Sequence, residues 1–170
     1  MVKKIVLITG GARSGKSRYA EELALSLCKN PVYVATAHVW DEEFRERVKK
    51  HQERRGPEWE NMEEERLLGN LPLKERVAVV DCLTLWATNY FFDFQDVSKA
   101  LSALKAEFDK LAEQDAILII VTNEIGLGGT SENAVQRNFT DLLGWLNQYV
   151  ASQADEVILM VCGIAVKVKG

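Results

Sequence analysis

The stretch Gly10-Gly11-Ala12-Arg13-Ser14-Gly15-Lys16-Ser17 decides how this chain folds. It fits the pattern G-x-x-x-x-G-K-[ST] of a phosphate-binding P-loop, in which glycines let backbone N–H groups approach phosphate oxygens. Lys16 would neutralise the β- and γ-phosphates, and the Ser17 hydroxyl would ligate Mg²⁺. At average residue frequencies a chance match arises in about one chain in a hundred of this size. Nucleotide binding is therefore the first hypothesis.

The sequence on both sides of this loop supports the hypothesis. Residues 3–9 form an apolar run typical of a buried parallel strand. After the loop, apolar residues recur at helical spacing from Ala20 to Leu27. Strand and helix patterns then alternate to the end of the chain. We therefore predict one α/β domain over residues 1–170, P-loop NTPase-like, with a mainly parallel sheet flanked by helices and an antiparallel edge strand at the C-terminus.

Composition narrows the classes of partner. The chain has 170 residues and a formal net charge of −4. Since it has no long basic run, we expect neither nucleic acid nor an anionic membrane as a principal partner. No apolar run is long enough to span a bilayer and no secretory signal is evident, so we expect a cytoplasmic protein. Cys28, Cys82 and Cys162 each sit in an apolar segment and predict buried, reduced thiols.

Two further strands end in residues suited to a ligand site. The strand over residues 32–36 runs into Ala35-Thr36-Ala37, small residues at an edge that carries the ligand crevice in open α/β sheets. A tight strand-to-loop transition explains these residues equally well. The apolar strand over residues 77–80 ends in Asp81, as a Walker B strand does when its carboxylate supports magnesium. Many strands end in Asp as a helix cap, but the P-loop upstream favours the metal role.

His51 is a candidate nucleophile. It lies near the end of a charged helix predicted over residues 41–54, on one stripe with Trp40, Phe44 and Val48. By spacing alone such a histidine is more often packed and hydrogen-bonded than catalytic. Its cationic neighbours would favour a neutral imidazole and attract a polyphosphate, and a neutral imidazole can attack phosphorus. These neighbours are Lys49, Lys50, Arg54 and Arg55. His38, at a strand-to-loop boundary, is interpreted as structural.

The remaining segments complete the predicted fold. Residues 58–71 read as a loop or short helix, residues 96–114 as an amphipathic helix, and residues 116–122 as a central strand. In the glycine-rich loop over residues 123–130, Asn123 and Glu124 either reach the active site or cap the loop backbone. Ser131 is a candidate cap for the next helix. The buried face predicted for that helix consists of Val135, Phe139, Leu142, Leu146 and Tyr149.

Several segments together resemble the bifunctional adenosylcobinamide kinase / adenosylcobinamide-phosphate guanylyltransferase family of cobalamin biosynthesis. The resemblance runs through nearly the whole chain, and its segments occur in order and at compatible spacing. They are residues 9–18, 35–37, 41–47, His51, Trp59, 121–126, 132–133, 154–157 and 163–167.

The resemblance implies two reactions. A nucleoside triphosphate, GTP or ATP, phosphorylates adenosylcobinamide; GTP then guanylylates a histidine, and the GMP passes to adenosylcobinamide phosphate. The family's guanylylated histidine falls on His51, and Mg²⁺ would be held by Ser17 and Asp81. The resemblance also implies a homotrimer. The nucleotide-contacting residues that it implies, besides the P-loop, are Ala35, Thr36, Ala37, Gln52, Glu53, Arg54, Arg55, Glu63 and Asp81.

Two positions depart from the family pattern, and two other functions compete with it. Asp81 stands where the family often has Glu, and Lys50 where some members have a second histidine. One competing function is a P-loop kinase of another small alcohol, with His51 merely packing. The other is a nucleotide-binding switch or assembly module without catalysis. A nucleotidyl-enzyme formed on His51 distinguishes the family function from both.

Overall fold

A twisted central sheet organises the part of the chain that the computed structural model describes, residues 2–170. Its strands are β1 (Lys4–Gly10), β2 (Val32–Ala35), β3 (Glu60–Glu63), β4 (Val77–Asp81), β5 (Ile117–Val121), β6 (Glu156–Val161) and β7 (Ile164–Lys169). The helices are α1 (Lys16–Leu27), α2 (Glu42–Glu53), α3 (Leu83–Phe94), α4 (Val97–Glu113) and α5 (Ala134–Gln153), with a short 3-10 helix at Leu68–Asn70.

The strand order is β3-β2-β4-β5-β1-β6-β7, and all neighbours run parallel except β6 and β7. The predicted α/β fold with an antiparallel C-terminal edge is confirmed. The central strands β1, β4 and β5 consist mainly of Val, Ile, Leu and Ala, and these residues are almost all buried. Such runs suit strands with helices on both faces of the sheet.

Each face of the sheet has its own hydrophobic core. On one face, Trp86 of α3 and Phe108 of α4 are fully buried together with Leu146 of α5. On the other face, Ala20 and Ala24 of α1 pack on the sheet. Because alanine side chains are small, α1 lies close to the strands, and its first turn is held at their carboxyl edge.

The segment 58–71 is the main difference from the sequence-based expectation. Residues 60–63 form the edge strand β3, parallel to β2, where a loop or short helix was predicted. This strand is Glu-Asn-Met-Glu, with neither β-branched residues nor apolar alternation. Its pairing with β2 is non-local, so the local pattern carries no signal for it.

The start of α5 also differs from the prediction. Its N-cap is Asn133, whose side chain accepts from the Gln136 N–H, whereas the Ser131 hydroxyl accepts from the Asn133 N–H. Val135 is 56% exposed and does not belong to the buried face. The core contacts of this helix begin one turn later, at Phe139.

The three thiols have different environments. Cys82 is buried and Cys28 is half-buried, but Cys162 is exposed. The prediction was wrong for Cys162 because it occupies the turn between β6 and β7, outside the helical layers.

Within residues 2–170, no helix is both long and apolar enough to cross a bilayer.

Candidate nucleotide-binding and transfer site

Four strand ends meet at the carboxyl edge of the sheet. β1 runs into the P-loop, and the register pairs Ala35, the last residue of β2, with Asp81, the last residue of β4. The same Ala35 pairs with Glu63 on its other side. The parallel topology therefore brings the P-loop, the small-residue segment and the acidic strand end to one edge, where open α/β sheets bind ligands.

The P-loop closes tightly on the turn between β6 and β7. Gly10 has φ +151°, and a Cβ there would lie 2.7 Å from the Met160 carbonyl oxygen. The Gly163 N–H donates to the Ser14 carbonyl oxygen at 2.9 Å. The Ser14 hydroxyl is buried without a hydrogen-bond partner among the described residues. An orphaned buried donor inside a glycine loop suits a phosphate oxygen.

Lys16 is folded back into the loop. Its side chain is buried, and Nζ donates to the Gly11 carbonyl oxygen at 2.5 Å. Burial lowers the pKa of Lys16, against the opposing effects of Cys82 and Asp81. Among residues 2–170, no carboxylate forms an ion pair with this ammonium, which lies inside the phosphate-binding loop.

Asp81 is joined to the P-loop serine and to a tyrosine. Its Oδ2 accepts from Ser17 Oγ at 2.8 Å and from Tyr33 Oη at 2.7 Å. Burial raises the pKa of Tyr33, and the Asp81 charge raises it further. The phenol is therefore protonated at neutral pH and donates to the carboxylate.

The Ser17–Asp81 pair fits the requirements of magnesium. Both side chains offer hard oxygen ligands, and they are already in contact. Within residues 2–170, no three His, Cys, Asp or Glu side chains converge as a metal cluster. Mg²⁺ takes only one or two protein ligands and completes its shell with phosphate oxygens and water, so one serine and one aspartate are sufficient.

A cavity of about 260 Å³ opens in front of this pair. No residue of α2 is buried, and its stripe of Phe44, Val48 and His51 lines this cavity instead of packing into the core. His51 thus faces the same space as Ser17 and Asp81. The cavity is lined by Ser17, Tyr33, Ala35, Ala37, Phe44, Arg47, Val48, His51, Arg55, Asp81 and Leu85.

His51 also borders a basic surface that we call the basic mouth, formed by Arg13, Arg47, Lys50 and Arg54. Arg13 comes from the P-loop, and the other three come from α2 and its C-cap. The mouth continues past Lys16 and Arg18 to the P-loop itself. A positive funnel of this kind attracts and orients a polyphosphate.

Arg55 does not join the basic mouth. It is buried, its guanidinium carbon lies 3.5 Å from the centroid of the Tyr33 ring, and Nε donates to Asn61 Oδ1 at 3.0 Å. Its Nη1 lies 3.9 Å from Glu21 Oε1. Burial raises the pKa of Glu21, and the Arg55 charge opposes that rise. Both atoms lack a hydrogen-bond partner among the described residues, so the wall of the cavity contains unsatisfied polar groups.

Other predicted contact residues have different environments. Thr36 Oγ1 donates to the Cys82 carbonyl oxygen and accepts from the Cys82 N–H, and Thr36 does not line the cavity. Gln52 Nε2 donates to Glu63 Oε1 at 3.2 Å, beside the site. Glu53 is exposed and lines neither the described cavity nor the basic mouth.

For Glu124, the structure shows the second of the two alternatives for the glycine-rich loop. Glu124 Oε1 accepts from the N–H groups of Gly126 and Leu127, so this carboxylate caps the loop backbone. The Asn123 backbone is held by the Thr84 hydroxyl and the Asn147 amide. His38, interpreted as structural, is hydrogen-bonded to Glu65 through Nδ1 at 2.8 Å.

Sequence reasoning missed several residues of the site, chiefly Tyr33 and Glu21. The sequence did contain a signal for Tyr33, because it is the one side chain with a polar group in the strand Val32–Ala35. Glu21 lies one helical turn from Ser17 but looks like any acid on a charged helix. The further lining residues that were not predicted to bind are Phe44, Arg47, Val48 and Leu85.

Replacing Tyr33 with phenylalanine is expected to weaken magnesium binding. The variant loses one hydrogen bond to the Asp81 carboxylate, an interaction of about 1.5–3 kcal/mol for a charged acceptor. We expect the Mg²⁺ concentration needed for half-maximal nucleotide binding to rise about tenfold. The matched control is Tyr149→Phe, which removes a phenol–carboxylate bond to Asp109 outside the site. Equal Mg²⁺ dependence of Tyr33→Phe and the wild type would contradict this role.

Solved structures agree with the fold. A flagellar accessory protein from Methanocaldococcus jannaschii superposes with TM-score 0.51 at 16% identity, over 99% of this chain and 79% of that one. A KaiC-like protein from Pyrococcus horikoshii gives TM-score 0.51 at 16% identity, over 93% and 71% of the two chains. At these identities the likeness concerns the fold alone, which is P-loop NTPase-like.

Sequence comparison is more specific. The family model described as "Cobinamide kinase / cobinamide phosphate guanyltransferase" matches residues 6–168. A bifunctional adenosylcobalamin biosynthesis protein from Pseudomonas aeruginosa is 38% identical, covering 96% of each chain. The protein of the same description from Escherichia coli is 35% identical, covering 97% of this chain and 99% of its own. With its P-loop, its acidic strand end and its histidine on one cavity, this chain belongs to the cobinamide kinase / cobinamide phosphate guanyltransferase family.

Proposed function

We propose that this protein phosphorylates adenosylcobinamide with a nucleoside triphosphate, GTP or ATP, and then transfers GMP from GTP to adenosylcobinamide phosphate. The product is adenosylcobinamide-GDP. Family membership supports both half-reactions. The observation that carries the proposal is that His51 lines the same cavity as Ser17 and Asp81. A nucleotide bound in this cavity would therefore contact both the residues for phosphoryl transfer and the histidine nucleophile.

In the first reaction, the acceptor hydroxyl attacks the γ-phosphorus and the bond to the nucleoside diphosphate breaks. Such transfer depends mainly on alignment and charge neutralisation. The P-loop N–H groups and Lys16 would hold the β- and γ-phosphates, and Ser17 and Asp81 would hold magnesium. Bound magnesium would neutralise phosphate charge. Tyr33 keeps the Asp81 carboxylate in place through its hydrogen bond.

In the second reaction, a ring nitrogen of His51 attacks the α-phosphorus of GTP. A phosphorus–nitrogen bond forms and the bond to pyrophosphate breaks, which splits one displacement into two. The phosphate of the acceptor then attacks the same phosphorus and releases the histidine. The basic mouth, with Arg13, Lys50 and Arg54 beside His51, stabilises the departing pyrophosphate. Gln52 and Glu63 hold each other at the end of α2, next to this histidine.

We further propose that the protein works as a homotrimer in the cytoplasm, in line with the family resemblance. The edge strand β7 supports association, because its apolar residues Ile164, Val166 and Val168 are all exposed. An exposed, apolar edge strand is a surface that proteins normally cover. The particle mass measured by light scattering tests the trimer.

The experiment that tests the function is intact-mass measurement after incubation with Mg²⁺ and GTP. We expect an acid-labile adduct with the mass of GMP, and its discharge when adenosylcobinamide phosphate is added. If GTP binds but forms no adduct, the guanylyltransferase proposal is wrong. A kinase restricted to γ-phosphate transfer, or a non-catalytic GTP-binding module, would then remain. Transfer of γ-phosphate to adenosylcobinamide separates these two.

A further inference from the structure

Two exposed aromatic rings lie beside the cavity, and we call Trp40 and Phe92 the aromatic patch. Trp40 is 61% exposed and Phe92 is 55% exposed. Their ring centroids are 6.2 Å apart in an edge-to-face arrangement, and the His38 ring packs on Trp40 at 4.5 Å. Contiguous exposed apolar surface marks interaction or ligand-binding sites, in contrast to single exposed apolar residues.

The support beneath the aromatic patch is well hydrogen-bonded. His38 Nδ1 contacts Glu65 Oε2 at 2.8 Å, and the same carboxylate oxygen accepts from Arg66 at 3.0 Å. The buried Asn89 amide donates to the carbonyl oxygens of Thr36 and Glu65, at 3.0 and 2.9 Å. The His38 ring that packs on Trp40 is thus fixed by hydrogen bonds, and Phe92 is carried on the helix α3. A surface that is already ordered lowers the entropy that a ligand must overcome.

The aromatic patch is continuous with the transfer site. Ala37 lines the cavity, and His38, which supports Trp40, is the next residue of the chain. Leu85 of α3 also lines the cavity, and Phe92 lies two helical turns further on the same face, at about 10.5 Å along the axis. A ligand with one part in the cavity and a broad body outside it would therefore extend onto these rings.

The chemistry of the acceptor matches this surface. A cavity of about 260 Å³ is below the range of about 300–1,000 Å³ typical of sites that enclose drug-sized ligands, so a corrin macrocycle must remain outside it. The basic mouth suits phosphate groups but repels a cationic cobalt corrin. Near the patch, Arg66 is paired with Asp93, through two bonds of 2.6 and 3.1 Å, and with Glu65. No free cation of this cluster therefore opposes a cationic macrocycle, and aromatic faces attract one.

We infer that the aromatic patch, Trp40 and Phe92, binds the corrin ring of the acceptor while its aminopropanol arm reaches into the cavity toward His51. This inference rests on the proposed function, since it names where the acceptor of that reaction docks. It assigns to two surface rings a role in acceptor binding and none in the chemistry of the nucleotide.

The test is equilibrium titration with adenosylcobinamide, without nucleotide, of the wild type and the double variant Trp40→Ala/Phe92→Ala. We expect the dissociation constant of the variant to rise about tenfold or more. The single variant Trp40→Phe keeps an aromatic ring at this position and should retain much of the wild-type affinity for adenosylcobinamide. The matched control is Trp145→Ala, which removes a tryptophan of α5 that is 48% exposed and borders a different groove. This variant should bind adenosylcobinamide as tightly as the wild type.

The outcomes separate this inference from the proposed function. An unchanged dissociation constant in the double variant overturns the inference, even where the GMP adduct forms and is discharged normally. A wild type that binds the corrinoid through these rings but forms no adduct supports the inference and overturns the guanylyltransferase half. A wild type that binds no corrinoid overturns the inference, and formation and discharge of the adduct then decide the proposed function separately. If the double variant changes the particle mass in light scattering, the rings are a contact between copies, and the inference is wrong.

Discussion

Replacing His51 with alanine is expected to abolish the GMP adduct and to lower GMP transfer by about 10⁴-fold or more, while phosphorylation of adenosylcobinamide continues. Removal of a covalent nucleophile is among the most damaging changes to an enzyme. The kinase reaction needs no covalent intermediate and draws on the P-loop, Ser17 and Asp81. A selective loss of one reaction from a shared nucleotide site is the expected signature. Intact mass and separate assays of the two transfers measure it.

This prediction has two controls: one replaces another residue of α2, and the other replaces His51 with a different side chain. Arg45 is exposed on α2 and lines neither the cavity nor the basic mouth, so Arg45→Ala should form the adduct normally. His51→Asn keeps a polar side chain of similar size that cannot attack phosphorus, and it should behave as the alanine variant does. An adduct that persists in His51→Ala would assign the nucleophile to another residue and would contradict the proposal.

Replacing Lys16 with methionine is expected to reduce phosphoryl transfer by about 10³-fold without destabilising the protein. The ammonium lies inside the P-loop, where its charge stabilises the transferring phosphate, and loss of one such group costs about 10²–10³-fold or more. Transfer of a labelled γ-phosphate to adenosylcobinamide measures the loss. A rate within tenfold of the wild type would show that Lys16 has no such role.

The stability of this variant follows from the direction of the pKa shift. Burial lowers the pKa of Lys16, so the folded protein holds the charged form less favourably than the unfolded chain does. At neutral pH the charge therefore opposes folding while no phosphate is bound, and methionine of similar length removes that cost. We expect the midpoint of thermal unfolding without nucleotide to stay equal or rise. A marked fall would mean that the activity loss reflects unfolding and not lost catalysis.

Local patterns were sufficient where a site is built from consecutive residues. The P-loop octapeptide could be read directly, because backbone N–H groups of one short segment form the phosphate cradle. Asp81 was identifiable as the polar end of an apolar strand, and its contact with Ser17 follows from the parallel sheet. The stripe of Phe44, Val48 and His51 was also predictable. That it lines a cavity was not, because periodicity does not distinguish a core face from a cavity wall.

Residues that act through non-local contacts were not predictable in this way. Tyr33, Arg55 and Glu21 come from β2, the loop after α2, and α1, and they meet only in the folded protein, where Arg55 lies over the Tyr33 ring and approaches Glu21. In the sequence, Arg55 was one more member of a basic run, yet it is buried against Tyr33 while Arg54 stays at the surface. The strand β3 was missed for the same reason, because pairing with β2 creates it.

The sequence by itself determined the fold class, the family, the phosphate loop and the histidine that we propose as nucleophile. Each of these depends on short-range pattern or on the joint order of motifs. Only the tertiary structure decided that His51 and Asp81 share one cavity, that Tyr33 supports the carboxylate, and that Trp40 and Phe92 remain exposed beside the site. The physical reason is that strand order and helix packing are set by contacts between residues far apart in the chain.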